Sequence, residues 1–190
     1  DECIDLVLRL FCTPGKDKVA SLDPSYGMYE VSANINDLDL IRIPLNKEFE
    51  FDTQELLQKA KGCKVLFICN PNNPTGKAIS LGKIEEIVQN FQGIVCVDEA
   101  YIDFSQVDSA IALIEKYNNI VVCQTFSKAY GMAGARLGML YSNSVTTAYF
   151  NKIKPPYNVN SLTQNYVLMR LENVDEIKQK INEIIEKDNQ

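Results

Sequence analysis

Short apolar runs and longer amphipathic stretches alternate along this chain. Six runs read as strands: Lys18-Val19-Ala20, Asp39 to Pro44, Lys64 to Cys69, Gly93 to Val97, Ile120 to Gln124 and Arg136 to Tyr141. Ile94-Val95-Cys96-Val97 is apolar at every position, the pattern of a strand buried on both faces. Between the runs, Leu81, Ile84, Ile87, Val88 and Phe91 recur at the three-to-four spacing that lines one helical face, and Ile177, Ile181, Ile184 and Ile185 do the same. Cys3 to Phe11 reads as a further helix, and Asp52-Thr53-Gln54-Glu55 reads as a capping box ahead of Leu56 and Leu57. Strands alternating with helices through short Gly, Pro and Asn loops predict an α/β fold, a three-layer αβα sandwich around a mostly parallel sheet. Two prolines in Lys154-Pro155-Pro156-Tyr157-Asn158 break the helical pattern. The expected organisation is therefore a body over residues 1–160 and a helical segment over 161–190. The chain opens directly on a helical pattern, without a methionine or a leading strand, and ends within a charged, periodic helix. It is expected to be a fragment of a longer protein, truncated at both ends.

Composition narrows the chemistry. The 190 residues are 46% hydrophobic, enough for a sizeable core, and no apolar run approaches the ~20 residues that cross a bilayer. A net charge of −6 argues against a nucleic-acid surface, since phosphate backbones attract an excess of Lys and Arg. None of the six cysteines forms a CxxC pair, so buried free thiols in a reducing cytoplasm are expected. The chain has no histidine. That removes Ser-His-Asp and Cys-His nucleophiles and the common histidine zinc sites, and no metal is expected. Catalysis would have to run on Lys, Asp, Tyr or a cofactor.

Three polar clusters fall directly after predicted strands. Asn70-Pro71-Asn72-Asn73-Pro74-Thr75-Gly76 follows one, Asp98-Glu99-Ala100-Tyr101 the next, and Thr125-Phe126-Ser127-Lys128 a third. Ligands of open parallel sheets bind beyond the carboxyl ends of the strands, so the three clusters are expected on one rim. A lysine is ordinarily a solvated surface charge. Lys128, however, is followed by Ala129 and Tyr130, and partial desolvation would favour the neutral amine that attacks an aldehyde. The same amine could then carry a proton between substrate and cofactor. Arg136 suits phosphate binding, with Thr125 and Ser127 as hydroxyl donors; a structural ion pair at the head of a strand is an equal alternative. A carboxylate at the buried end of a strand, as at Asp98, is costly unless paired. A protonated pyridine nitrogen, a helix cap or an ion pair would each serve. Tyr101 and Asn73 could both reach the phenolic oxygen of such a ring, and Tyr26 could stack on it. Tyr29 is expected to pack in the core. Taken together, these residue types suggest pyridoxal phosphate chemistry.

With Phe11-Cys12-Thr13-Pro14-Gly15, Pro24-Ser25-Tyr26-Gly27-Met28-Tyr29, Arg136-Leu137-Gly138 and Pro156-Tyr157-Asn158-Val159-Asn160 added, the chain resembles the fold-type I pyridoxal-phosphate aminotransferases. Within them it is most similar to the histidinol-phosphate aminotransferases. The resemblance implies that Lys128 carries the cofactor and transfers protons, that Asp98 binds the pyridine nitrogen, and that Tyr101 and Asn73 bind the ring oxygen. It implies Thr125, Ser127 and Arg136 as phosphate ligands, Tyr26 as the stacking aromatic, and Asp1 as the remnant of a backbone-amide loop that cups the phosphate. The implied reaction moves an amino group between histidinol phosphate and 2-oxoglutarate in histidine biosynthesis, in a cytoplasmic homodimer. It further implies that the arginine gripping the substrate carboxylate, in a small domain, and a tyrosine of the neighbouring subunit lie outside this chain. The fragment alone is therefore expected to be weak or inactive. A threonine-phosphate decarboxylase, an aromatic aminotransferase and a non-catalytic relative are the alternatives. A nucleotide-binding doubly wound domain is disfavoured, because neither G-x-G-x-x-G nor G-x-x-x-x-G-K-[ST] follows a predicted strand.

Overall fold

The computed structural model describes residues 1–188; residues 189 and 190 of the expected C-terminal segment lie outside the described residues. The strands are β1 (Lys18–Asp23), β2 (Asp39–Pro44), β3 (Val65–Cys69), β4 (Ile94–Asp98), β5 (Ile120–Thr125) and β6 (Gly138–Tyr141). The helices are α1 (Glu2–Phe11), α2 (Met28–Ile35), α3 (Thr53–Lys59), α4 (Leu81–Asn90), α5 (Ser144–Ile153), α6 (Ser161–Leu171) and α7 (Val174–Asp188). The sheet runs β2-β1-β3-β4-β5-β6. All pairs are parallel except β5 with β6, where Thr125 faces Gly138. Among the described residues no helix is long and apolar enough to cross a membrane.

The two-residue period of the central strands divides the core. Leu66 and Ile68 of β3 face one side, with Leu56 of α3 and Ile84, Ile87 and Val88 of α4. Val65, Phe67 and Cys69 face the other, against α1, Tyr29 and Ala33 of α2, and Phe150 of α5. Helices therefore cover both faces of the expected mostly parallel sheet, because every residue of β3 is buried and neither face can be left to water. A third cluster lies beside the sheet: Phe126 and Met132 pack with Val167 of α6 and Ile177 and Ile181 of α7. On α7, Ile184 turns outward and is exposed.

Two local expectations change. Asp52 caps α3 by accepting the Glu55 N–H at 2.9 Å, but the Glu55 carboxylate pairs with Lys59 at 2.6 Å instead of completing the box. The last strand begins at Gly138 rather than Arg136, because Arg136 has a left-handed φ of 52° that an extended strand excludes.

Candidate functional site

The carboxyl ends of β3, β4 and β5 lie side by side and are stitched together just beyond their last residues. The Asn70 N–H donates to the Asp98 carbonyl at 2.8 Å, and the Glu99 N–H to the Cys123 carbonyl at 2.8 Å. Beyond this edge opens a cleft of about 580 Å³, a size suited to a small organic ligand. Asp1, Tyr26, Asn73, Asp98, Tyr101, Thr125, Ser127, Lys128 and Arg136 all line it. The structure thus brings together every residue that the sequence singled out for the site.

The loop after β3 spends two of its three asparagines on itself. Asn70 exchanges hydrogen bonds with the backbone of Ile79, at 2.7 and 3.1 Å. Asn72 donates to the Pro24 carbonyl at 3.0 Å and accepts from the Ser25 hydroxyl at 2.8 Å. Gly76, at φ +69°, takes the left-handed turn that closes the loop, with its N–H on the Asn72 carbonyl at 2.7 Å. This scaffolding leaves Asn73 half-buried in the cleft wall.

Asp98 is only 7% exposed. Its Oδ1 accepts from the Ala100 N–H at 3.1 Å, and its Oδ2 accepts from the Tyr29 hydroxyl at 2.9 Å. Burial pushes its pKa up, while those two donors and the nearby Lys128 charge act in the opposite direction. Asp98 neither caps a helix nor pairs with a basic side chain among the described residues. Its neighbour Glu99, 1% exposed, accepts from the Ser109 hydroxyl, the Ala110 N–H and the Gln124 amide at 2.6, 2.6 and 2.8 Å. That carboxylate is fully engaged in tying the loop after β4 to β5.

Lys128 stands in the turn after β5, its Nζ 5.3 Å from the centroid of the Tyr101 ring. The expected partial desolvation is not what the structure has: Lys128 is exposed, in a turn whose buried anchors are Phe126 and Met132. The turn is held by the Gly131 N–H on the Lys128 carbonyl at 2.9 Å and the Met132 N–H on the Phe126 carbonyl at 3.0 Å. Thr125 donates its hydroxyl to the Leu137 carbonyl at 3.3 Å and accepts the Ser127 N–H at 3.0 Å. Its hydroxyl thus braces the loop at the cleft wall.

Arg136 and Asp1 meet at one end of the cleft. An Arg136 Nη lies 3.4 Å from Asp1 Oδ2, and the Tyr26 hydroxyl donates to Asp1 Oδ1 at 2.9 Å. An anion therefore already sits beside the guanidinium. The geometry suits a flat ring with an anionic substituent: a buried carboxylate for a ring N–H, an aromatic wall, an amine, and a guanidinium beyond.

Three contributors went unread in the sequence. Tyr29 reaches Asp98 from the core. The Cys69 thiol donates to the Pro71 carbonyl at 3.3 Å and accepts the Asn73 N–H at 3.4 Å, and Glu99 braces β5. The signal for Tyr29 was its place three residues after Tyr26, where α2 begins and the two rings meet edge to face.

The chain matches the profile of the family described as aminotransferase class I and II over residues 1–189. It is 51% identical over 185 residues to the histidinol-phosphate aminotransferase of Cytophaga hutchinsonii, an alignment covering 95% of this chain and 53% of that protein. To the same-named enzyme of Flavobacterium johnsoniae it is 48% identical over 187 residues, covering 98% and 54%. The chain thus spans about half the length of the curated relatives it matches. Among solved structures, it superposes on the histidinol-phosphate aminotransferase of Sinorhizobium meliloti in complex with pyridoxal 5'-phosphate. The TM-score is 0.86 at 23% identity, covering 94% of this chain and 50% of that one. The Clostridium acetobutylicum histidinol-phosphate aminotransferase gives a TM-score of 0.83 at 24% identity, covering 95% and 54%. At these identities the structural likeness speaks for the fold.

Proposed function

The chain belongs to the class I and II aminotransferases, and from that premise we propose that its protein transfers the amino group of histidinol phosphate to 2-oxoglutarate, using pyridoxal 5'-phosphate. The reaction would serve histidine biosynthesis. The observation that carries this reading is the convergence of Lys128, Asp98 and Arg136 on one cleft, in a chain about half identical to enzymes of that name. Since the chain spans about half of each relative, the activity is assigned to a longer polypeptide. Residues 1–160 would form its cofactor-binding domain and 161–190 would lead to a smaller domain. A cytoplasmic homodimer is part of the same proposal.

The residues present fit the cofactor. Asp98 has a carboxylate in a buried wall, with its two hydrogen bonds coming from behind and from its own loop, so it can accept a ring N–H from the cleft. Tyr26 offers a face for the ring, Asn73 and Tyr101 are placed for its oxygen, and Arg136 with Ser127 and Thr125 for its phosphate. Asp1 would have to yield Arg136 to that phosphate. When bound, pyridoxal phosphate supplies an aldehyde that takes up the amino group and a ring that accepts electrons from the substrate carbon. The chain's own contribution is positional and acid–base. Lys128 Nζ would hold the aldehyde carbon in the resting enzyme, then take the proton from the substrate carbon and return it on the other side of the amino transfer. The Asp98 carboxylate would keep the ring nitrogen protonated.

Two measurements test this. Loading the protein with pyridoxal phosphate should give a visible absorption band that borohydride abolishes; a Lys128→Ala protein that keeps the band would remove Lys128 from the role. Rates with histidinol phosphate, phenylalanine and threonine phosphate should favour the first, and preference for either of the others would overturn the substrate assignment.

A further inference from the structure

Tyr29 lies in the core yet reaches two walls of the cleft. Its side chain is 1% exposed and its ring stacks on Phe67 at 4.7 Å with an interplanar angle of 6°. Its edge meets the Tyr26 ring at 5.7 Å and 88°. Its hydroxyl donates to Asp98 Oδ2 at 2.9 Å. Packing alone does not account for this choice of residue. A phenylalanine would fill the same slot between Phe67 and Tyr26, but it would leave Asp98 Oδ2, on a carboxylate only 7% exposed, without its donor.

Resting on the pyridoxal phosphate reading above, we infer that Tyr29 is a positioning residue: its hydroxyl holds Asp98 ionised and aimed into the cleft, and so sets the protonation of the cofactor's ring nitrogen. The physical reason is the balance at Asp98. A carboxylate stripped of water favours its neutral form, and donors to the charged form oppose that preference. Among the described residues two donors reach it, and the Ala100 N–H at 3.1 Å is the longer. A neutral Asp98 could not stabilise a positively charged ring, so losing the phenol's hydrogen bond would pass directly to the ring nitrogen.

The groups around the pair fit this assignment. Cys69 of β3 and Cys123 of β5 face it with thiols whose pKa values burial helps push up, that of Cys69 to about 12, so they stay uncharged. Tyr26, also raised by burial, is neutral as well. Tyr29 itself is held well above the ordinary tyrosine value, by burial first and by Asp98 next. It therefore remains a donor across the working pH range. Lys128 is the positive side chain that acts on Asp98.

The test uses the full-length protein loaded with pyridoxal phosphate carrying an isotope-labelled ring nitrogen, whose chemical shift reports its protonation. Tyr29→Phe should release that proton about one to two pH units lower than wild type, the shift corresponding to one hydrogen bond to a charged group. Asp98→Asn should abolish the protonation across the neutral range. If Asp98→Asn acts so and Tyr29→Phe titrates as wild type, the Tyr29 inference is overturned while the cofactor reading stands. If Asp98→Asn leaves the titration unchanged, the placement of the ring nitrogen fails and the inference goes with it. A second measurement leaves residue 29 intact, should Tyr29→Phe not fold. Infrared difference spectra of wild type against Asp98→Asn at neutral pH should show loss of an ionised carboxylate band together with a shifted tyrosine C–O stretch. A protonated carboxyl band in wild type, or no tyrosine change, would refute the assignment.

Discussion

At Asp98 two effects oppose each other. Burial raises the pKa, and hydrogen bonds from Tyr29 and Ala100 hold it down, with the net result still above the ordinary carboxylate value. The folded, cofactor-free state then binds the Asp98 proton more tightly than the unfolded chain does. Stability owed to this residue is greatest below the unfolded pKa, falls as pH rises to the folded value, and is level beyond it. Replacing Asp98 by Asn should remove that fall. Urea unfolding midpoints measured from acid to neutral pH would show a weaker decline for the variant than for wild type; parallel curves would mean that the carboxylate is not desolvated. The sequence made Asp98 suspect because it ends a run of apolar residues. It placed Tyr29 in the core but not against Asp98, since a hydrogen bond spanning 69 positions leaves no local pattern.

Elements here are placed by packing on the two faces of the sheet, and turns between them are tight. Gly93, just before β4, shows how tight. A Cβ built there would lie 2.5 Å from the Lys64 carbonyl and 2.9 Å from that of Cys63. The Lys64 carbonyl accepts the Ile94 N–H at 2.8 Å, the bond that starts the β3–β4 pairing. Gly93→Ala should therefore destabilise the fold by about 2–3 kcal/mol through overpacking. The measurement is a denaturant midpoint at unchanged slope, and a loss below half a kcal/mol would show that the approach relaxes freely. The strands themselves were legible from apolar runs, because burial on both faces requires them. The start of the last strand was not, because the left-handed Arg136 depends on the turn that Gly131 and Met132 build before it.

Across the whole molecule, α7 supports the site from a distance. Ile177 and Ile181 pack with Phe126 and Met132, the two residues that flank the Lys128 turn. Ile181→Ala should cost about 2–4 kcal/mol of local stability. It should also speed amide hydrogen exchange over residues 126–132 as well as in α7. Fast exchange confined to the helix would mean that the turn stands without it. The periodicity of Ile177 and Ile181 announced an apolar face but not its partner.

The sequence by itself determined the alternation of strands and helices, the largely parallel sheet, and three polar clusters at strand ends. These follow from local periods and from turn residues, which act over a few positions. Its motifs also carried the aminotransferase resemblance. Only the tertiary structure decided which side chains share the cleft, that Lys128 stays exposed, and that Asp98 is held from the core by Tyr29. Burial and hydrogen bonding between distant residues arise when the sheet brings its strand ends together, and nothing in a linear pattern records them.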